Sequence, residues 1–127
     1  MTHYNQDTVH QHDSILVSVL MPVFNAESYL VEAIESVLAQ THGNFELIIS
    51  FQTSDDDSLK IIEQFAAQDS RICVIYRAEP NLSMALNDGL NKARGKYIAR
   101  MDGDDICHPE RLTLQVSYLE QNPEIGV

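Results

Sequence analysis

Asp102, Asp104 and Asp105 surround Gly103, so three carboxylates fall within four residues. Carboxylates packed this closely repel one another unless a cation neutralises them. Hard oxygen ligands of this kind suit Mg²⁺, Mn²⁺ or Ca²⁺. Gly103 lets the backbone approach a ligand closely or take an unusual dihedral. The stretch is not a calcium EF-hand loop, which, counted from Asp102, would need an oxygen ligand at Ile106 and a glycine at Cys107. An aspartyl phosphatase would place its acidic pair after the first strand, where this chain reads Met21-Pro22-Val23. No glycine-rich phosphate cradle is present in the sequence. Two readings remain at this point, a metal and phosphate site or a solvated acidic turn, and the position of the motif in the fold separates them.

The surrounding periodicity supplies that position. Residues 15–21 form a continuous apolar run closed by Pro22, which reads as a strand buried on both faces. Asn25 can cap the helix that follows, whose stripe is Tyr29, Leu30, Ala33, Ile34, Val37 and Leu38. Residues 45–51 form a second strand. Asp55, Asp56 and Asp57 suit the start of the next helix, where negative charge meets the helix dipole. Leu59, Ile62, Phe65 and Ala66 give that helix its apolar face. Residues 72–76 form a third strand, and a helix over 83–93 turns Ala85, Leu86, Leu90 and Ala93 inward. A fourth strand covers 97–101. Pro109 fits the first turn of a last helix, which carries Leu112, Val116 and Leu119. The order β-α-β-α-β-α-β-α implies an α/β fold with a mainly parallel sheet flanked by helices. Ligands of such sheets bind beyond the carboxyl ends of the strands. The acidic motif stands at one of those ends, which favours the metal reading over the solvated turn.

Composition removes other classes. The 127 residues hold 19 acidic and 8 basic side chains, a net charge of −11. That balance disfavours a phosphate-backbone binder or a peripheral anchor on anionic lipid, so no nucleic acid partner is expected. No apolar run approaches the ~20 residues of a membrane-spanning helix. The start of the chain lacks the basic and apolar pattern of a signal peptide, so a cytoplasmic location is expected. Cys73 and Cys107 lie outside any C-x-x-C pair and read as two reduced thiols. Residues 1–14 read as a polar, flexible N-terminus, its His3, His10 and His12 lacking a framework to fix a metal.

Taken together, these stretches resemble the N-terminal part of a family 2 glycosyltransferase of the GT-A fold. The likeness is carried by Val19-Leu20-Met21-Pro22-Val23-Phe24-Asn25-Ala26-Glu27, Ile34-Glu35-Ser36-Val37-Leu38-Ala39-Gln40-Thr41 and Phe45-Glu46-Leu47-Ile48-Ile49. It continues through Ala85-Leu86-Asn87-Asp88-Gly89-Leu90, the stretch Gly95-Lys96-Tyr97-Ile98-Ala99-Arg100-Met101-Asp102-Gly103-Asp104-Asp105, and Pro109-Glu110-Arg111-Leu112. The colinear match covers residues 15–127. The resemblance implies a Rossmann-like nucleotide-binding half and an inverting transfer of a sugar from a nucleotide-diphosphate sugar, UDP-sugar first, to a glycan or lipid-linked acceptor. It implies that Asp102, Asp104 and Asp105 hold Mn²⁺ or Mg²⁺, with Asp102 also reaching the ribose. It further implies that Pro22, Phe24, Asn25, Glu27, Gln52 and Asn87 bind the donor, Phe24 by stacking on the base.

Three departures qualify the match. Where the family usually shows Val-Asp-Asp-Gly-Ser-Thr-Asp, this chain has Ser50-Phe51-Gln52-Thr53-Ser54-Asp55-Asp56. Phe51 cannot accept a hydrogen bond, whereas Gln52 can through its amide oxygen. Near Glu79-Pro80-Asn81, the family's glycine is replaced by Asn81, which tolerates a left-handed backbone. The family's acceptor-binding half, with its base that deprotonates the acceptor hydroxyl, has no counterpart in residues 15–127, so the chain is expected to be a donor-binding portion that is inactive alone. A degenerate, non-catalytic partner-binding module, or a surface that recruits a second copy of the chain, is the alternative expectation.

Overall fold

The structure, a computed structural model, describes residues 12–125. Most of the expected flexible N-terminus, with His3 and His10, lies outside the described residues. Four strands, β1 (Val17–Val23), β2 (Phe45–Gln52), β3 (Ile72–Arg77) and β4 (Tyr97–Arg100), alternate with four helices. The helices are α1 (Glu27–Leu38), α2 (Ser58–Gln68), α3 (Leu82–Lys92) and α4 (Arg111–Gln121), and a 3₁₀ turn covers Pro123–Ile125. All pairings are parallel and the sheet order is β3-β2-β1-β4. The chain steps outward from β1 to β3 and then returns to place β4 beside β1. The switch point of the topology therefore lies between β1 and β4, and a crevice opens at their carboxyl ends.

Residue types explain the layering. Every residue of β1 and β2 is buried. Val17, Val19, Met21 and Val23 join Phe45, Leu47, Ile49 and Phe51 in the main core with Leu30, Ile34, Ile62, Leu112 and Val116. Alternate residues face the other way, as the two-residue period of a strand requires. There α3 packs on β1 and β2. Gly89 permits that approach, because a Cβ would stand 3.2 Å from Leu20 Cδ2. Pro22 pairs with Ser50 of β2, while the β1–β4 ladder stops at Leu20, so its missing N–H leaves no gap toward β4. Among the described residues no helix is long and apolar enough to cross a membrane, and both cysteines are free.

At the amino end of the sheet a polar network closes the fold. The Ser18 hydroxyl donates to Glu46 Oε2 at 2.6 Å and accepts from Gly95 N–H at 2.7 Å. Arg94 reaches the same carboxylate with its backbone N–H at 2.7 Å and its Nε at 3.1 Å. Burial alone would raise the Glu46 pKa, but the Ser18 and Arg94 hydrogen bonds hold it below the ordinary glutamate range.

Several sequence expectations need correction. The first strand begins at Val17 rather than Ile15, whose N–H closes a turn onto His12 O at 3.0 Å. Tyr29 does not join the buried stripe of α1 but is 61% exposed. Leu90 is exposed as well, because Ala85 and Gly89 take the face of α3 turned to the sheet. Pro109 precedes α4 instead of sitting in its first turn, and His108 Nδ1 accepts from Glu110 N–H there at 3.1 Å.

Candidate nucleotide-sugar site

A cleft of about 540 Å³ opens at the carboxyl ends of β1, β2 and β4. Its walls include Pro22, Phe24, Asn25, Tyr29, Gln52, Asn81, Arg100, Asp102 and Asp104. Of the residues expected from sequence, the fold brings Pro22, Phe24, Asn25, Gln52, Asp102 and Asp104 to this one cavity. Glu27, Asn87 and Asp105 do not line it.

The acidic loop leaves β4 directly. Met101 N–H still bonds to Leu20 O at 2.9 Å, so the ladder geometry carries the chain to Asp102 before it turns. Gly103 is buried, and a Cβ there would meet Ala26 Cβ at 3.3 Å and Val23 Cγ2 at 3.4 Å. The turn is thereby pressed against the start of α1, with its carboxylates outward. Asp105 Oδ2 accepts from Asp102 N–H at 3.2 Å and shapes the turn from within. Arg100 Nε and Nη2 both reach Asp102 Oδ1 at 3.2 Å, while Arg111 Nη2 donates to Arg100 O at 3.0 Å. Among the described residues the Asp104 carboxylate has no protein partner. One carboxylate oxygen from each of Asp102, Asp104 and Asp105 lies within 4.8 Å of the others. This all-oxygen donor set, on a turn open to the cleft, fits a hard divalent cation.

The opposite wall is built by two loops that clasp each other. Asn25 has a positive φ of 47°, a conformation that asparagine adopts more readily than most side chains. Its N–H donates to Ser54 Oγ at 2.9 Å and its Oδ1 accepts from Asp55 N–H at 3.0 Å. Asn25 is thus not the cap of α1. Ala26 holds the N-cap position without a side-chain bond, and its N–H bonds to Ser58 Oγ at 3.1 Å. The cap of α1 comes instead from the neighbouring loop, where Asp56 Oδ2 accepts from Glu27 N–H at 3.1 Å. Asp56 Oδ1 accepts from Ser58 N–H at 3.0 Å, so this one carboxylate serves the starts of both α1 and α2. Burial would raise its pKa, but the bonds from Ser58 and Glu27 hold it below the ordinary aspartate range. Glu27 Oε1 returns the contact by accepting from Asp57 N–H at 3.2 Å. Glu27 therefore fixes loop geometry, and its side chain is turned away from the cleft.

This clasp leaves Phe24 48% exposed, an aromatic face at the cleft wall. Gln52 is 4% exposed, and its Oε1 accepts from Asn81 N–H at 3.0 Å. The acceptor that the sequence offered at Gln52 is thus already engaged. Asn81 has an extended backbone, φ −161°, not a left-handed one, and its side chain caps α3 by accepting from Met84 N–H at 3.0 Å. Asn87 lies exposed on α3, because the helical period gives the sheet-facing positions to Ala85 and Gly89. The reading from sequence missed Arg100 and Tyr29 as wall residues. Arg100 could have been found from strand alternation, since it shares the side of Asp102 two residues on.

The profile described as Glycosyl transferase family 2 matches residues 18–127. This chain belongs to that family. The putative glycosyltransferase EpsE of Bacillus subtilis is 45% identical over 108 residues, which cover 84% of this chain and 39% of EpsE. An uncharacterised glycosyltransferase of Haemophilus influenzae is 42% identical over 112 residues, covering 87% of this chain and 34% of that protein. The chain thus spans less than half the length of these relatives. Among solved structures, Staphylococcus aureus TarS 1–349 in complex with UDP superposes with a TM-score of 0.78 at 23% identity, over 86% of this chain and 33% of TarS. The mannosyltransferase PcManGT of Pyrobaculum calidifontis, in complex with GDP-Man and Mn²⁺, gives 0.75 at 20% identity over 81% of this chain and 32% of PcManGT. The family 2 chain therefore shares the GT-A fold of these enzymes.

Proposed function

We propose that this chain is the donor-binding portion of a metal-dependent, inverting glycosyltransferase that moves a sugar from a nucleotide-diphosphate sugar to a glycan or lipid-linked acceptor. One observation carries this reading. The fold opens its cleft at the switch point and lines it with partner-free carboxylate on one side and an exposed aromatic face on the other. Asp102 and Asp104, with Asp105 behind them, would hold Mn²⁺ or Mg²⁺. When bound, the cation neutralises charge that develops on the departing diphosphate. Arg100 fixes the Asp102 carboxylate from one side and leaves its other oxygen to the cleft. Phe24 offers a stacking surface for the base, and the clasp of Asn25, Ser54, Asp55 and Asp56 keeps that surface in place. Membership of the family, structural neighbours bound to UDP or to GDP-Man with Mn²⁺, and the oxygen-rich turn support the reading.

The chain covers less than half of its relatives' length, and by the family resemblance the carboxylate that would activate the acceptor hydroxyl is expected outside residues 15–127. We therefore expect donor binding but no sugar transfer from this portion alone, in the cytoplasm where nucleotide sugars are met. A non-catalytic binding module is the competing reading, favoured by Phe51. The position usually given to an acidic residue is committed to the core here, edge-on to Tyr76 at 6.4 Å between ring centroids. Calorimetric titration of nucleoside diphosphates with and without Mn²⁺ decides between them. Metal-dependent binding that Asp104→Ala abolishes in a folded chain supports the transferase, and no nucleotide affinity at all supports the module.

A further inference from the structure

We propose that Gln52 reads the base of the donor as a hydrogen-bond acceptor, presenting only N–H donors to it. The inference rests on the donor-site reading above and deepens it. Gln52 closes β2, is 4% exposed, and lines the same cleft as Phe24 and Asp102. Its orientation is fixed by chemistry. The Asn81 backbone N–H can only donate, so the atom facing it at 3.0 Å is the amide oxygen. Asn81 is itself held at the start of α3, its Oδ1 accepting from Met84 N–H and its backbone oxygen from Ala85 N–H. The remaining group, Nε2, has no protein partner among the described residues. An amide donor left unmet in a buried wall costs free energy unless a ligand or water accepts from it.

The neighbouring side chains reinforce this polarity. Phe51 has no polar atom and packs inward. Ser54 Oγ donates to the Gln52 backbone oxygen and accepts from Asn25 N–H, so its hydroxyl is engaged in both directions. Of residues 50–56, Gln52 lines the cleft, and its Nε2 is the donor it has left to offer there. Such a wall complements a carbonyl oxygen or an unprotonated ring nitrogen. Cytosine presents both, at O2 and N3. Uracil interposes an N3–H between its carbonyls, which a carboxylate here would accept and which the Nε2 group of Gln52 cannot.

The test compares Mn²⁺-dependent binding of CDP, UDP and inorganic pyrophosphate to the wild type, Gln52→Glu and Gln52→Met, by calorimetry at pH 8. Circular dichroism checks folding. Gln52→Glu keeps an oxygen for Asn81 and replaces the donor by an acceptor. It should raise the UDP-to-CDP affinity ratio about 10-fold, with pyrophosphate binding unchanged. Gln52→Met should weaken both nucleotides roughly 10-fold and again spare pyrophosphate. It decides the matter if the buried carboxylate prevents folding. A ratio that stays within about twofold in Gln52→Glu overturns the proposal, as does a Gln52→Met chain that binds nucleotides like the wild type. Parallel weakening of pyrophosphate would show that Gln52 only supports the turn, and overturns it too. If the wild type binds none of the three and no GDP either, the donor-site reading itself falls and takes this inference with it; binding of pyrophosphate or GDP without CDP or UDP overturns this inference alone.

Discussion

The two ends of the sheet handle polar groups in opposite ways. At the amino end, the Glu46 carboxylate receives Ser18 Oγ–H, Arg94 N–H and Arg94 Nε–H, and Ser18 Oγ in turn receives Gly95 N–H. At the carboxyl end, Asp104 has no partner among the described residues, Asp102 is engaged at one oxygen only, and Gln52 leaves its Nε2 unmet. A buried carboxylate that is fully hydrogen-bonded stabilises a fold and has nothing left for a ligand. Carboxylates held in position with free oxygens are suited to a cation. The contrast separates scaffold from site without appeal to residue type, since both ends use acids.

The largest effect expected on the scaffold side comes from Gly95→Ala. A Cβ at Gly95 would lie 2.5 Å from Ser18 N and 2.9 Å from Leu16 O, both backbone atoms that cannot yield cheaply. A loss of about 4 kcal/mol, measured by urea unfolding, is expected. A chain as stable as the wild type would break the claim that this end is closed. On the site side, Asp104→Ala should cut Mn²⁺-dependent nucleotide affinity at least about 100-fold, ~2.7 kcal/mol, while the melting temperature of the metal-free chain stays put. A large fall in melting temperature would instead make Asp104 part of the scaffold.

Glu46→Gln tests the same end more gently. It should cost about 1–3 kcal/mol at neutral pH, because the amide loses the negative charge facing Arg94 and sets an NH₂ against one of the donors that the carboxylate now accepts from. The sign of its pH dependence follows from the lowered Glu46 pKa. The carboxylate stabilises the fold above the ordinary glutamate range, and that stability drains away as the pH falls through the lower folded-state value. Acid titration of stability should therefore be shallower in Glu46→Gln than in the wild type, and equal slopes would remove Glu46 from the account. The smallest effect is expected at Asn25. Asn25→Ala should cost about 1–2 kcal/mol, from its positive φ and the lost bond to Asp55 N–H. Asn25→Gly, which relieves the backbone strain, should lose only the second part. Nucleotide affinity that falls with the clasp would sharpen the link between loop geometry and site.

Much of this arrangement is legible in the sequence because strands and helices alternate with clear periods. The apolar runs of β1 and β2, and the stripe of Leu30, Ala33, Ile34 and Val37, specify a parallel sheet and hence where a cleft must lie. The Asp102-Gly103-Asp104 motif at the end of β4 then names one wall. What the sequence could not give is how individual polar groups are partnered. Asn25 has the residue type of a helix cap, yet its positive φ sends its oxygen across to Asp55, and Asp56 caps α1 from another loop. Gln52 looks like an acceptor until Asn81 N–H occupies its oxygen. Asn87 sits in a matching stretch but lies on an exposed face of α3. Tyr29 keeps helical spacing with the core residues, yet stands at the rim where the cleft begins. Each of these turns on a contact between segments distant in sequence, about which local spacing is silent.

The central claim is that the carboxyl end is a donor site whose metal and nucleotide depend on each other. Calorimetric titration of the folded chain with UDP, GDP and CDP, each with and without Mn²⁺, tests it most directly. The account predicts that one nucleotide binds with Mn²⁺, binds at least about tenfold more weakly without it, and loses that dependence in Asp104→Ala. A folded chain that binds none of them, or binds one equally well with and without the metal, would contradict it.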